Sequence, residues 1–204
     1  MSDMIPVFSF IFRKGRCKYC NEKVSIRYML TELFLALVFV SFVLKYDISI
    51  LTLRYLILSC ILFGLSLVDF DCYEIPDGFI LSGILWWLIT IPFINEPIIK
   101  QLKTGLLGGF AIGGGILFFS LLMDRLLKKE SMGGGDIKLF FMLGLYMGFS
   151  LSLLNLILSC FIGIILVALL RKNKIPFGPA IGLAAWITLL FGSDIVSWYL
   201  GLLM

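Results

Sequence analysis

The chain has 204 residues, of which 60% are hydrophobic, and its mean hydropathy of +1.06 lies far above that of ordinary soluble domains. This composition excludes a soluble globular protein, and the net charge of +4 is better explained by membrane topology than by nucleic-acid binding. The chain contains no histidine, which excludes Ser-His-Asp and Cys-His catalysis and every histidine-containing metal site.

Long apolar runs separated by charged turns predict an all-α, polytopic transmembrane helical bundle rather than a β-barrel, whose strands would alternate in hydropathy. Residues 1–27 form a short basic segment with one Cys-x-x-Cys pair, and residues 28–204 form the transmembrane domain. We expect the apolar runs at about 28–45, 48–68, 78–94, 104–123, 137–170 and 178–204.

The run at 137–170 is too long for one crossing of a membrane core of roughly 30 Å. A break at Gly148 would divide it into two helices, the first of them short, which gives about seven spans. Small residues in the fourth run, at Gly108-Gly109 and Gly113 to Gly115, predict close helix packing. Gly192 to Asp194 interrupts the last run, so we expect its end to be a second short helix or an interfacial piece.

The distribution of basic residues predicts a cytoplasmic N-terminus. With seven spans, thirteen of the 17 Lys and Arg residues fall in the inside segments and four fall outside. The four outside residues are Lys45, Arg54, Lys100 and Lys103. This topology also places Asp69 and Asp136 at the same depth, on the cytoplasmic face.

Two acid clusters at the ends of apolar runs are the candidate site. Asp136 follows Gly133, Gly134 and Gly135, which permit positive φ and the close approach of another backbone or a substrate. Asp69 opens the second cluster. Carboxylates at the mouth of membrane helices are costly, so they indicate function.

Paired carboxylates share one proton, because two charges that close cannot both ionise easily. The ionised acid then takes a proton from water that attacks a peptide carbonyl, and the protonated acid polarises the carbonyl oxygen. A proton- or cation-coupled transporter is the alternative, as is a non-catalytic assembly component. The alternative interpretation of Asp71 and Glu74 is a solvated loop, and that of Asp77 and Asp136 is helix capping. Lys138 is expected to face elsewhere and anchor at the lipid headgroups.

Four motifs, in order, resemble those of the type IV prepilin peptidases. Met132 to Leu139 resembles their Gly-x-Gly-Asp signature, and Asp69 to Asp77 resembles their second aspartate motif, which ends in Ile-Pro-Asp. Ile175 to Pro179 is similar to a third segment. Cys17 and Cys20, followed by a helix, resemble the second cysteine pair of the family.

The resemblance implies that Asp69 and Asp136 are the catalytic pair of an intramembrane aspartyl protease in the bacterial inner membrane. Gly133, Gly134, Gly135, Asp71, Pro76, Asp77 and Lys138 are expected to support the site or bind substrate. The implied substrates are type IV prepilins and the pseudopilins of protein secretion, cleaved on the cytoplasmic side between a basic leader and an apolar helix. Peptidase activity requires no cofactor.

The chain departs from the bifunctional members of that family, which have two Cys-x-x-Cys pairs and one more helix. Of these two pairs, the chain has only the one formed by Cys17 and Cys20, so a tetrahedral zinc site would need further ligands. This departure argues against N-methylation of the new N-terminus by S-adenosylmethionine. We expect an N-terminally short form, whether it is a naturally short peptidase, a misplaced start or a fragment.

Overall fold

A computed structural model of the chain describes residues 10, 15–16, 22–23, 25–128, 132–170 and 176–203. These ranges form helices and contain no strand, which confirms the all-α prediction. A short 3₁₀ turn at Ile91–Phe93 follows the third helix. The helices are α1 (Ile26–Tyr46), α2 (Ile50–Cys72), α3 (Asp77–Thr90), α4 (Ile98–Leu127), α5 (Gly134–Leu170) and α6 (Gly178–Leu203).

Five of these helices, all except α3, are long and apolar enough to cross a membrane, and α3 with its 3₁₀ turn is a shorter apolar segment. The chain is therefore a multi-pass membrane protein. The number of seven spans and the cytoplasmic N-terminus stay predictions.

Contacts divide the chain into two compact units, Met1–Asp47 and Ile48–Met204. The first contains α1, which begins where the Ser25 hydroxyl accepts a hydrogen bond from the backbone N–H of Arg27. An isolated antiparallel bridge joins Arg16 to Lys23 in the same unit. The second unit contains the other five helices and both acid clusters. The predicted division at residue 27 stays a prediction.

Glycines bring the backbones of α4 and α5 into direct contact. A methyl group on Gly108 would lie 2.5 Å from the carbonyl oxygen of Gly144, and one on Gly144 would lie 2.6 Å from Cα of Gly109. One on Gly113 would lie 2.9 Å from Cβ of Phe141. The expected close packing is confirmed at these positions. It is wrong for Gly114 and Gly115, where a methyl group would meet open space.

The predicted break in the long apolar run is confirmed at Gly148, where φ is 70° and ψ is −176°. These angles lie in a region that favours glycine, so the helical hydrogen bonding is interrupted there.

The predicted interruption of α6 at Gly192 to Asp194 is wrong. Gly192 is buried against Leu151 and Leu154 of α5, and this packing lets α6 continue to Leu203.

Two helix ends lie beyond their predicted positions. α2 continues to Cys72, so Asp69 and Asp71 are helical instead of lying in a loop. Tyr73 ends α2 in the left-handed conformation, with φ of 57°, and its N–H donates to the carbonyl oxygen of Asp69. α4 begins at Ile98, directly after Pro97, so residues 98–103, which precede the predicted apolar run at 104–123, are also helical.

Candidate active site

The end of α2 meets the beginnings of α5 and α6 at one end of the second unit. The backbone N–H of Gly178, the first residue of α6, donates to Oδ2 of Asp69 at 2.7 Å. The carboxylates of Asp69 and Asp136 are close enough to interact electrostatically. The rings of Phe140 and Phe177 pack with centroids 6.5 Å apart, which joins α5 to the residue preceding α6.

Asp69 is fixed in a buried position in the last turn of α2. The residue is only 4% exposed. A methyl group on Gly178 would lie 2.7 Å from Asp69 Oδ2 and 3.2 Å from Cδ2 of Leu65, so glycine is what allows α6 to begin against this carboxylate. The donated N–H compensates part of the cost of burying the acid.

Asp136 lies in the first turn of α5. The helix begins two residues earlier, at Gly134, so the expectation that Asp136 is the N-cap is wrong. Its N–H donates to the carbonyl oxygen of Gly133 at 3.1 Å, which folds the glycine turn back under the carboxylate. The structure therefore places Asp136 and Asp69 together, although they are 67 residues apart in the sequence.

Of the three glycines before Asp136, Gly135 permits the close approach of another segment, and none of the three has an unusual backbone angle. Among the described glycines, positive φ occurs at Gly15 and Gly148 and not in this turn. A methyl group on Gly135 would lie 2.7 Å from Cβ of Ile75, while one on Gly134 would meet nothing within 4 Å. Gly135 is thus where the two acid motifs touch.

An ion pair joins the same two motifs on the exposed side. Nζ of Lys138 lies 2.6 Å from Oδ1 of Asp77, and both side chains are exposed. Lys138 therefore contacts the other acid cluster, and the expectation that it faces elsewhere is wrong. Pro76 occupies the N-cap position of α3 and Asp77 is its first residue, so the capping role predicted for Asp77 is also wrong.

Asp71 and Glu74 are exposed near the end of α2. Asp71 lies in the last turn of the helix, and Glu74 lies in the connection to α3. Asp69 alone in this cluster is buried. The structure thus separates Asp69 from its neighbouring acids.

An apolar groove of about 560 Å³ begins at the Asp77–Lys138 pair and lies between α3 and α4, with the first part of α5 behind it. Most of its lining is aliphatic or aromatic, and two glycines of α4 complete it. The groove is lined by Ile80, Leu81, Ile84, Phe110, Gly113, Gly114, Leu117, Ile137 and Phe141.

Sequence reasoning missed Gly178 and Ile75 as site residues. Both lie within motifs that were noticed, Ile75 before Pro76 and Gly178 before Pro179, but each acts through its backbone or packing rather than through a reactive group.

Cys17 and Cys20 lie outside the described residues. Within the described ranges, no three Cys, Asp or Glu side chains are grouped as metal ligands would be.

Comparison with known proteins decides the family. The model of the type IV leader peptidase family matches residues 56–168, more than half of the chain, and the bacterial peptidase A24 N-terminal domain matches residues 1–46. The chain belongs to the type IV leader peptidase family. Asp69, Asp136 and the three glycines all fall within the first match.

Named relatives agree along nearly the whole chain. A prepilin leader peptidase/N-methyltransferase of Aeromonas salmonicida (strain A449) is 34% identical over 98% of this chain and 70% of the relative. A type 4 prepilin-like proteins leader peptide-processing enzyme of Escherichia coli O78:H11 is 37% identical over 92% of this chain and 70% of the relative. A prepilin leader peptidase/N-methyltransferase of Bacillus subtilis (strain 168) is 27% identical over 98% and 80%. No solved structure matches.

These relationships confirm the family resemblance and identify the chain as a prepilin-type peptidase, a membrane hydrolase. They favour a peptidase over the transporter alternative.

Proposed function

We propose that this peptidase hydrolyses the leader of type IV prepilin or pseudopilin precursors with Asp69 and Asp136 as a catalytic pair. The observation that carries the proposal is their convergence: one acid ends α2, the other begins α5, and their carboxylates interact electrostatically. Asp69 is in addition buried and held by the N–H of Gly178. A merely structural pair of acids would be expected to carry a basic partner, because burial of like charges is costly.

The proposed chemistry needs one proton on the pair. The ionised acid accepts a proton from water, which attacks the scissile carbonyl carbon, and the protonated acid donates to the carbonyl oxygen. The tetrahedral intermediate collapses when the leaving nitrogen takes a proton from the pair. Base and acid both come from the chain, so the proposed peptide hydrolysis uses no cofactor.

The groove beside the pair suits the apolar helix that follows a prepilin leader. It is open between α3 and α4, it is lined almost entirely by apolar side chains, and one end lies at Lys138, two residues from Asp136. A helix seated there would present its N-terminal end to the aspartates. The leader itself would lie beside the exposed acids Asp71, Glu74 and Asp77, which complement its basic charge.

We also propose that cleavage occurs on the cytoplasmic side of the bacterial inner membrane. The support is the excess of Lys and Arg, thirteen against four, in the segments that the predicted topology places inside together with both aspartates. Zinc at Cys17 and Cys20 and methylation by S-adenosylmethionine stay sequence predictions, since both cysteines lie outside the described residues.

Co-expression with a prepilin precursor tests the pair. We expect Asp69→Asn and Asp136→Asn each to abolish maturation, measured as the mobility shift of the precursor and by N-terminal sequencing, while the protein still accumulates in the membrane. Normal maturation by either variant would show that the pair is not catalytic.

Asp71→Asn is the matched control, because Asp71 is two residues from Asp69 but exposed. We expect this variant to cleave at close to the normal rate. If Asp71→Asn is inactive and Asp69→Asn is active, the assignment within the cluster is reversed.

A further inference from the structure

A polar cavity, separate from the apolar groove, lies at the end of the helices opposite the aspartates. Arg54 lies about one turn inside α2 and Asp69 lies in its last turn, so roughly 22 Å of helix separates them. The cavity has a volume of about 160 Å³, and its lining includes Arg54, Glu96, Gln101 and Tyr146. The proposed peptidase chemistry uses none of these residues.

Arg54 is a buried cation whose contacts leave it incompletely satisfied. The residue is 6% exposed, and its guanidinium lies 4.9 Å from the centroid of the Tyr146 ring. Nε is buried and has no hydrogen-bond partner among the described residues. Tyr146 contacts the guanidinium through its ring face, and its hydroxyl donates to the carbonyl oxygen of Gly83 at 2.6 Å. A desolvated guanidinium is strongly stabilised by an anionic acceptor.

The same cavity also has a buried acceptor without a donor. The amide nitrogen of Gln101 donates to the carbonyl oxygen of Glu96 at 2.9 Å, which fixes the orientation of the amide. Oε1 of Gln101 is buried and receives no hydrogen bond within the described part of the chain. The carboxylate of Glu96 is half exposed, 3.5 Å from Lys100, and the residue also lines the cavity. The cavity therefore combines one cation with two acceptors.

The surrounding chain holds this arrangement open. The indole N–H of Trp86 donates to the carbonyl oxygen of Arg54 at 3.1 Å, which fixes the start of α2 against α3. Gly148, where α5 is broken, also lines the cavity and adds no side chain to it. Glu96 and Gln101 lie where α3 ends and α4 begins, the position at which helix ends meet lipid headgroups.

We propose that this cavity binds a phosphoethanolamine headgroup of a membrane lipid, in the leaflet opposite the aspartates. The phosphate oxygens would accept hydrogen bonds from Arg54, since guanidinium groups match phosphate geometry. The ammonium would donate to Oε1 of Gln101 and to the carboxylate of Glu96. A free phosphate would satisfy Arg54 and could donate one O–H to Gln101, but it has no positive charge to pair with the carboxylate of Glu96, so the zwitterion suits all three residues.

The test compares lipids bound to the full-length protein. Wild type and the variants Arg54→Gln, Glu96→Gln and Lys103→Gln are purified in detergent and offered equal amounts of phosphatidylethanolamine and phosphatidylglycerol. Bound lipid is counted by native mass spectrometry, and the thermal midpoint is measured with and without each lipid. Lys103→Gln is the matched control, because it removes a positive charge at the same end of α4 without lining the cavity.

We expect wild type and Lys103→Gln to retain phosphatidylethanolamine about tenfold more than phosphatidylglycerol, a ratio of the size that one charge-assisted hydrogen bond produces. Arg54→Gln should retain little of either lipid. Glu96→Gln, an exposed change that should leave folding intact, should still bind both lipids but lose the preference between them.

Three results would overturn the proposal. Equal retention by wild type and Arg54→Gln would show that Arg54 is not the ligand. Stabilisation of the lipid-free protein by O-phosphoethanolamine or inorganic phosphate, to the same extent as by the lipid, would identify a soluble anion as the occupant. An equal loss of thermal stability in lipid-free Arg54→Gln and Glu96→Gln would indicate an internal ion pair between these two residues.

Discussion

The backbone N–H of Gly178 donates to the carboxylate of Asp69 across 2.7 Å, although 109 residues separate them in the sequence. The bond joins the first turn of α6 to the last turn of α2 and orients one oxygen of the proposed catalytic pair. The other oxygen of Asp69 is left for the second acid, water or substrate.

Substitution of Gly178 tests this relationship. A methyl group there would lie 2.7 Å from Asp69 Oδ2, so Gly178→Ala should displace the carboxylate and reduce prepilin cleavage by about tenfold or more, the scale of a hydrogen bond to a charged group worth roughly 1.5–3 kcal/mol. Gly182→Ala, one turn further along α6, would place its methyl group 3.2 Å from the Ser66 hydroxyl and should retain most activity. Equal rates for the two variants would contradict the role of Gly178.

Alanine substitutions at neighbouring positions of the glycine turn, Gly135 and Gly134, should have different effects. Gly135→Ala places a methyl group 2.7 Å from Cβ of Ile75, and overpacking of this kind costs about 1–3 kcal/mol, so we expect a lower thermal midpoint and slower cleavage. Gly134→Ala meets open space and should be neutral or slightly stabilising. Parallel thermal scans and cleavage assays distinguish the two, and a harmful Gly134→Ala would point instead to contact with substrate.

The ion pair between Asp77 and Lys138 should matter little for stability. Because both side chains are exposed, Lys138→Asp and Asp77→Lys should each change the free energy of unfolding by about 1 kcal/mol or less. If the pair positions the start of α5, each single variant should cleave more slowly and the double swap should recover the rate. A double swap no better than either single variant would show that the residues act separately.

Filling the groove should impair binding of the substrate helix. Gly114 lines the groove and has open space at its Cβ, so Gly114→Leu should fill it without disturbing the packing of α4, and should raise KM more than it lowers kcat. Gly115→Leu is the matched control, since its Cβ also meets open space but the residue does not line the groove. Similar kinetics for the two variants would place the substrate helix elsewhere.

The pH dependence of cleavage should be bell-shaped. The proposed pair works with one proton, so the rate should fall at acid pH, where both Asp69 and Asp136 are protonated, and at alkaline pH, where both are ionised. Cleavage of a prepilin in proteoliposomes, measured from about pH 4 to about pH 9 under first-order conditions, checks this expectation. A rate that only rises with pH would indicate a single base.

Much of the fold follows from the sequence because apolar length and glycine position determine it directly. The break at Gly148 was predictable, since the apolar run at 137–170 is too long to cross a membrane core as one helix. Helix ends were less predictable. α2 continues through Asp69 and Asp71 because Tyr73 adopts the left-handed conformation and closes the last turn, and a tyrosine gives no sequence signal of that kind.

The site was predictable where reactive side chains carry it and not where the backbone does. Asp69 and Asp136 stand out because isolated acids are costly at the ends of apolar helices. The N–H of Gly178 and the contact between Gly135 and Ile75 depend on how separate helices approach one another, which composition and spacing do not encode. The prediction that Lys138 is a headgroup anchor failed for the same reason as these omissions. Its partner Asp77 is 61 residues away in the sequence, so spacing gives no sign of the contact.

The contact between Gly108 and Gly144 has a consequence for the register of the active site. Asp136 lies about 12 Å of helix from Gly144, in a short rod bounded by the break at Gly148. The two backbones touch at these glycines. If α5 moved along α4, a larger residue would enter the contact and collide with the facing backbone. The depth of Asp136 relative to Asp69 is thus set far from either acid, by residues that carry no chemistry. A larger residue at Gly108 or Gly144 should misalign the pair while leaving every catalytic group in place.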